Sequence, residues 1–488
     1  MSILPETKLY IDGKLRRAAG DKTYDNIGPW TGESVGQAAD ASAEDVDEAI
    51  ASARRAFDTT AWSTDHAVRL DLVTKLYELL LANRERLGML ARHEGGSTVG
   101  GVARANVNMA LGCYKDLIDL FPQVTWQKDF GVRGPAEYQS RRIVSYEPVG
   151  VVGAITPWNS PLYVNIGKVI AALLAGCTVV LKPAPDTPGM GTIFGELAGE
   201  VGFPAGVLNV VTGADPAMAG EMLVTDRRVD LISFTGSTAV GKRIVERGAA
   251  TLKRVFLELG GKSAKIILDD VANFAQEVAS AILVYHAGQG CAVQSRLLVP
   301  KSRYGEAVEI LRRTYEAYGD NWGDFNEPSH MMGPVISRKQ LERVRSYVEI
   351  GKQEGATLLA GGNLRPDKGS GFFIEPTCFV NVTNDMRIAR EEIFGPVLVA
   401  IPYEDDEDAI RISNDSDYGL SGGVASGKLD RAMSVAKRIR TGSMSVNGGM
   451  CIAGDIPFGG SKFSGIGREW GLEGIEEFLE SKVIAYRV

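Results

Sequence analysis

The chain is 488 residues long, carries a formal net charge of -8, and is 44% hydrophobic and 23% charged. That length exceeds one ordinary core and predicts two or three domains of a soluble globular protein, and the acidic balance argues against a nucleic-acid partner. Five cysteines without a CxxC pair and four scattered histidines argue against a metal site or disulfide framework and fit a reducing cytoplasm.

The first residues, "MSILPETKLYIDGK", lack a basic segment followed by an apolar stretch, so no secretory signal is expected. From Ser42, "SAEDVDEAIASARRAF" predicts a helix with Ser42 and Asp45 as a capping box and Val46, Ala49, Ile50, Ala53 and Phe57 on one face. "HAVRLDLVTKLYELLLANRERL" predicts a second, single amphipathic helix. Segment 146–161, "YEPVGVVGAITPWNSP", reads as a buried strand leaving through a Pro-rich turn. Strands at "TVVLKPAP", "GVLNVVTG" and "LISFTG" then alternate with helices, which predicts a parallel α/β sheet. The longest apolar block, 169–181, is interrupted by glycine and too short to span a bilayer, so no membrane span is expected. Alternation resumes over 255–268 and continues to 442–448, predicting a second α/β domain with a boundary near Glu258. Segments 124–145 and 471–488 fit neither rhythm and are expected to form an extended arm, with a strand seeking a partner in another subunit as one explanation.

Glycine is abundant, with 57 residues against a usual ~7% of a chain, and it clusters beside predicted strand ends. One cluster, "HAGQGCAVQSR" (286–296), sets Cys291 between two small residues. A structural cysteine prefers apolar company, and on spacing alone a buried core thiol stays open. A reactive one needs room for substrate and for donors that stabilise its thiolate.

Parallel sheets bind ligands at the carboxyl ends of their strands, where several unusual turns fall. "ITPWNSP" puts Asn159 after one strand, and "LKPAP" puts Lys182 after the next. "FTGSTAVG" (234–241) sets Gly236, Ser237 and Gly241 between strand and helix, and "LELGGK" sets Glu258 at a strand end. Each also has a bland reading: a turn cap beside Pro161, a solvated charge, tight helix–strand packing, or a boundary salt bridge.

Together with "GFPAGVLNVVTG", "GQGC", "EEIFGPV", "YGLSGGV" and "PFGGSKFSGIGRE", these stretches resemble the aldehyde dehydrogenase superfamily, in its order and over almost the whole chain. The resemblance implies two doubly wound, Rossmann-like parallel-sheet domains plus a small β oligomerisation arm. The cofactor-binding domain would comprise 1–123 and 146–257 with a return at 448–470. The catalytic domain would be 258–447, and the arm 124–145 and 471–488. It also implies a homodimer or homotetramer that oxidises a small-molecule aldehyde. Cys291 matches the nucleophile that forms a thiohemiacetal and then a thioester. Asn159 and the Cys291 N–H match the oxyanion hole, and Glu258 the general base. Lys182 matches the lysine on the adenosine ribose, Ser237 (with Gly236) the pyrophosphate site, and Glu392 and Phe394 the holders of the nicotinamide ribose and ring. Trp158 lies beside these walls, and Glu469 matches an acid assigned either a proton relay or an ion pair.

Two departures matter. Many NAD-using relatives carry glutamate where this chain has Pro185, so NAD is expected to be preferred and NADP tolerated. Lys182 is the evident cation there, and Asp186 adds negative charge. Some relatives carry a large aromatic where this chain has Gly167, which predicts a roomier entrance refilled by Tyr163, Met450 and Ile452 and suited to bulky hydrophobic or aromatic aldehydes. The alternatives are an acylating relative that uses coenzyme A, disfavoured by Glu258, and a non-catalytic binding protein.

Overall fold

The computed structural model describes residues 3–488, apart from the side chains of 103–105. Its first sheet has eight strands. Leu208–Val210, Thr178–Lys182, Val151–Ile155, Leu231–Thr235 and Arg254–Glu258 lie side by side in that order and run parallel. Leu9–Ile11, with Lys14–Arg16 beyond it, closes one flank antiparallel, and Gly465–Ile466 closes the other. The central strands VVGAI and TVVLK are buried at every position, as their mainly apolar sequences require when both faces are covered. Val152 and Ala154 pack into one core while Val151 and Ile155 pack into another on the opposite face, the period-two alternation of a strand.

Helix Ala43–Thr59 covers the second of these faces, entering through the expected capping box: the Ser42 side chain accepts from the Asp45 N–H while Asp45 accepts from Ser42. The predicted second helix is two, His66–Ala82 and Arg84–His93, broken at Asn83, where φ -90° and ψ 20° leave the helical range. The apolar spacing carries on across the break, so the sequence pattern hides it.

The second sheet has seven strands, in the order Thr357–Ala360, Thr377–Val380, Val397–Tyr403, Arg296–Pro300, Ala264–Ile267, Ser421–Ala425 and Ser443–Val446. All neighbours are parallel except the first pair. Segment 255–268 therefore holds one strand of each sheet, and the chain crosses between them at Gly260 and Gly261. Gln127–Arg133, Ser140–Pro148 and Leu479–Arg487 make a third, antiparallel sheet. The C-terminal strand thus finds its partner within the chain, in register from Leu479 opposite Pro148 to Arg487 opposite Ser140. Among the described residues no helix is long and apolar enough to cross a membrane.

The parallel strands of the first sheet end at Ile155, Lys182, Thr235 and Glu258, on one edge. The turns singled out in the sequence are therefore neighbours in space.

Candidate active site

A cleft of about 1190 Å³ opens between the two parallel-sheet domains. Its lining brings together Trp158, Asn159, Tyr163, Gly236, Ser237, Glu258, Cys291, Glu392, Phe394, Ile452 and Glu469. Lys182, Pro185, Gly167 and Met450 are not on its wall.

Cys291 follows a turn in which His286 and Ala287 adopt φ of 47° and 51°, a left-handed conformation that costs non-glycine residues of order 1 kcal/mol each. Gln289 holds that turn. Its side-chain amide donates to the His286 carbonyl at 3.1 Å, and its Oε1 accepts from the Ile336 N–H at 2.9 Å. The Asn159 Nδ2 donates to the Gln289 carbonyl at 3.0 Å, tying the two turns together. An amide carries two hydrogens, so Asn159 keeps one to donate elsewhere.

The glycines of "LELGG" serve the same turn. A Cβ on Gly261 would stand 2.6 Å from the Cys291 carbonyl, and one on Gly260 would stand 2.2 Å from the Glu392 carboxylate. The Gly261 N–H instead donates to Glu392 Oε1 at 2.9 Å, which aims that carboxylate at the cleft. Phe394 meets Trp158 edge-on, with ring centroids 5.3 Å apart.

Burial and neighbouring carboxylates oppose ionisation of both the thiol and the carboxyl of the site. Burial, reinforced by the negative charges of Glu258 and Glu392, pushes the Cys291 thiol up to about 12. Burial and the charge of Glu469 lift Glu258 well above the carboxylate range, with Lys168 partly opposing. Both Glu258 oxygens are buried without a hydrogen-bond partner in the protein. An uncommitted buried carboxyl is costly to fold, so its retention beside a thiol points to chemistry.

Behind Glu258, Lys168 Nζ donates to Glu469 Oε1 at 2.7 Å and to the Ser233 hydroxyl at 3.1 Å, with both members of the ion pair buried. Glu469 is thus an ion-pair partner that also reaches the cleft. Lys168 was not among the expected site residues, although a lone charge inside "PLYVNIGKVIAALL" signals a buried partner.

On the opposite side, Ser237 caps helix Thr238–Gly248, accepting from the Val240 N–H at 3.4 Å, and leaves the helix N-terminus facing the cleft. Lys182 is buried one step away, its Nζ donating to the Pro183 carbonyl at 3.3 Å, and burial draws it down to about 8. The Pro185 carbonyl accepts from the Tyr24 hydroxyl at 3.2 Å. Asp186 and Lys339, by contrast, do line the cleft.

The expectation about Gly167 needs correction. It stands behind the wall, where a Cβ would meet the Trp470 ring at 3.1 Å. Trp470 fills that volume and stacks on Tyr163 with centroids 4.4 Å apart, so a large side chain at 167 would collide with Trp470 before narrowing any entrance. Met450 is 79% exposed and leaves the wall to Ile452. Among the described residues no cluster of histidine, cysteine or carboxylate side chains could hold a metal ion.

The sequence model of the Aldehyde dehydrogenase family matches residues 16–484. A putative aldehyde dehydrogenase, DhaS, of Bacillus subtilis (strain 168) is 39% identical over 98% of this chain and 95% of its own. A 3-succinoylsemialdehyde-pyridine dehydrogenase of Pseudomonas sp is 41% identical over 98% of both. Among solved structures, Mycobacterium tuberculosis aldehyde dehydrogenase complexed with NAD+ superposes with a TM-score of 0.92 at 41% identity, covering 99% of this chain and 98% of that one. A variant of aldehyde dehydrogenase C from Pseudomonas syringae, complexed with NAD+ and octanal, gives a TM-score of 0.91 at 37% identity over 98% and 96%. With a full-length family match and relatives of this identity, the chain belongs to the aldehyde dehydrogenase family.

Proposed function

We propose that this chain oxidises an aldehyde to its carboxylic acid through a covalent cycle on Cys291, with NAD as hydride acceptor. The observation that carries this reading is the meeting, in one cleft, of the Cys291 thiol, the Asn159 amide and the partner-free Glu258 carboxyl. The thiol sulfur attacks the aldehyde carbon as its proton passes to a carboxylate, for which Glu258, with its raised proton affinity, is placed. Asn159 and the Cys291 N–H donate to the oxygen that gains charge in the thiohemiacetal. Loss of hydride leaves a thioester on Cys291. The proton taken from the thiol leaves Glu258 for solvent. Glu258 then takes a proton from water as the water oxygen attacks, the carbon–sulfur bond breaks, that proton passes to the departing thiolate, and acid and thiol are released.

Bound NAD supplies the hydride acceptor. The cleft exceeds the roughly 300–1,000 Å³ of ordinary ligand sites, as a dinucleotide requires. The helix N-terminus at Ser237 and Gly236 suits a pyrophosphate. Glu392, Phe394 and Trp158 suit the nicotinamide end, whereas Lys182 and Pro185, which lie off the cleft wall, are assigned to the adenosine end by the family resemblance alone. The Pro185 side chain offers neither an acceptor for a ribose 2′-hydroxyl nor a charge to repel a 2′-phosphate, so NADP is tolerated behind NAD.

Around Cys291 the wall is built by Met109, Tyr163, Val164, Ile452 and Phe458, which favours bulky hydrophobic or aromatic aldehydes. The test is a comparison of benzaldehyde, acetaldehyde and a carboxylated aldehyde with NAD, with and without coenzyme A. Benzaldehyde is expected to give the highest kcat/KM and the free acid as product, with coenzyme A without effect. An acyl-coenzyme A product would establish the acylating alternative, and preference for the charged aldehyde would contradict the substrate class.

The three-stranded arm exposes Val483, Ile484 and Tyr486 on the C-terminal strand, a surface suited to a second copy in a homodimer or homotetramer. Light scattering at micromolar concentration should give a mass above one chain; a one-chain mass would contradict this. The five cysteines are all free, which suits a cytoplasmic setting.

A further inference from the structure

Among the polar groups of the cleft wall that the covalent cycle does not use is a tyrosine–asparagine pair. Tyr285, six positions before Cys291, and Asn106, on helix Val102–Met109, both line the same cleft as Cys291. The Tyr285 hydroxyl donates to Asn106 Oδ1 at 3.0 Å, and Asn106 Nδ2 donates onward to the Ser97 hydroxyl. Tyr285 is 39% exposed whereas Asn106 is 8% exposed, so the phenol is the face of the pair that an incoming molecule meets.

The direction of these bonds decides what the pair can recognise. A phenol has one hydrogen, and here it is spent on Asn106. What remains on the Tyr285 oxygen, and on the second lone pair of Asn106 Oδ1, is acceptor capacity. The same cleft is also lined by the largely apolar side chains of Met109, Tyr163, Val164, Ile452 and Phe458. An aldehyde that lays a methyl group against the pair strips water from acceptors and returns nothing. One that lays a hydroxyl there donates into them. A cationic ammonium would call for a carboxylate, whereas Tyr285 and Asn106 are neutral.

We infer that Tyr285 and Asn106 form an acceptor clasp on the wall of the aldehyde chamber, and that it selects aldehydes bearing a hydroxyl group remote from the carbonyl. This rests on the cleft being an aldehyde-oxidising site and narrows the substrate class to hydroxyl-bearing members of the bulky, aromatic group.

The test compares aldehydes of equal shape and similar carbonyl reactivity: the meta and para isomers of hydroxymethylbenzaldehyde against those of ethylbenzaldehyde, with NAD and the full-length enzyme. The wild type should favour the hydroxymethyl compound of at least one isomer by roughly three- to tenfold in kcat/KM, the worth of one net hydrogen bond. In Tyr285→Phe/Asn106→Leu that preference should vanish or reverse, because the acceptors become apolar wall. Tyr285→Phe alone keeps the ring and should lose part of the preference, so the inference does not hang on the folding of the double variant. A merely structural clasp would shift all four aldehydes together and leave their ratios untouched. Equal rates for hydroxymethyl and ethyl compounds in the wild type would overturn the clasp while leaving the oxidising function standing. Absence of reduced NAD from every aldehyde would overturn the oxidising function and the clasp with it.

Discussion

Replacing Cys291 with alanine is expected to abolish aldehyde oxidation while NAD still binds. Cys113, Cys177 and Cys378 are buried, and Cys451 is half-buried without lining the cleft. Cys291 therefore has no substitute nucleophile among them. Alanine removes the sulfur and leaves Gln289, Asn159 and the Gly261 contact in place, so the turn keeps its shape. Loss of a covalent nucleophile removes rate on the order of a million-fold, because residues acting as a unit fail together. Steady-state formation of reduced NAD measures the first expectation, and fluorescence titration with NAD the second. Turnover near the wild-type rate would move the chemistry off Cys291.

Glu258→Gln should slow steady-state turnover by roughly a hundred- to ten-thousand-fold, the worth of a general base. Glutamine has the same shape and fits against Gly459, where a Cβ would already lie 2.6 Å from Glu258 Oε1, so packing is conserved and the basic oxygen lost. If release of the acid is the step that needs this base most, a burst of reduced NAD survives ahead of the slow steady state. The pH profile carries a second signature. Burial and Glu469 raise the proton affinity of Glu258, so the active carboxylate form grows in only as pH rises through a value displaced upward from the ordinary carboxylate range. Wild-type kcat should climb along that limb, and Glu258→Gln should lose it. An unchanged steady state, or an unchanged limb, would remove Glu258 from the role.

What could be read from the residues was mostly what adjacent positions decide. The Ser42 capping box and the apolar strands ending at Ile155, Lys182, Thr235 and Glu258 are local patterns, and they fold as written. The strand-end rule gathers Asn159, Ser237 and Glu258 at one edge from the sequence alone. The contacts that escaped join distant parts of the chain. Lys168 and Glu469 lie 301 positions apart, and Tyr285 and Asn106 lie 179 apart. No period or motif links such pairs. Gly167 shows the same limit: the missing aromatic suggested empty space, but Trp470, brought up from the far end of the sequence, occupies it. Met450 and Ile452 are close in sequence, yet only Ile452 lines the cleft, because neighbours in a loop need not face the same way.

The most direct measurement is peptide mass spectrometry of Glu258→Gln quenched after mixing with NAD and benzaldehyde. With deacylation slowed, a benzoyl group should be found on the peptide that contains Cys291 and on no other cysteine. A benzoyl group on another cysteine, or continued product formation with Cys291 unmodified, would contradict covalent catalysis at this residue.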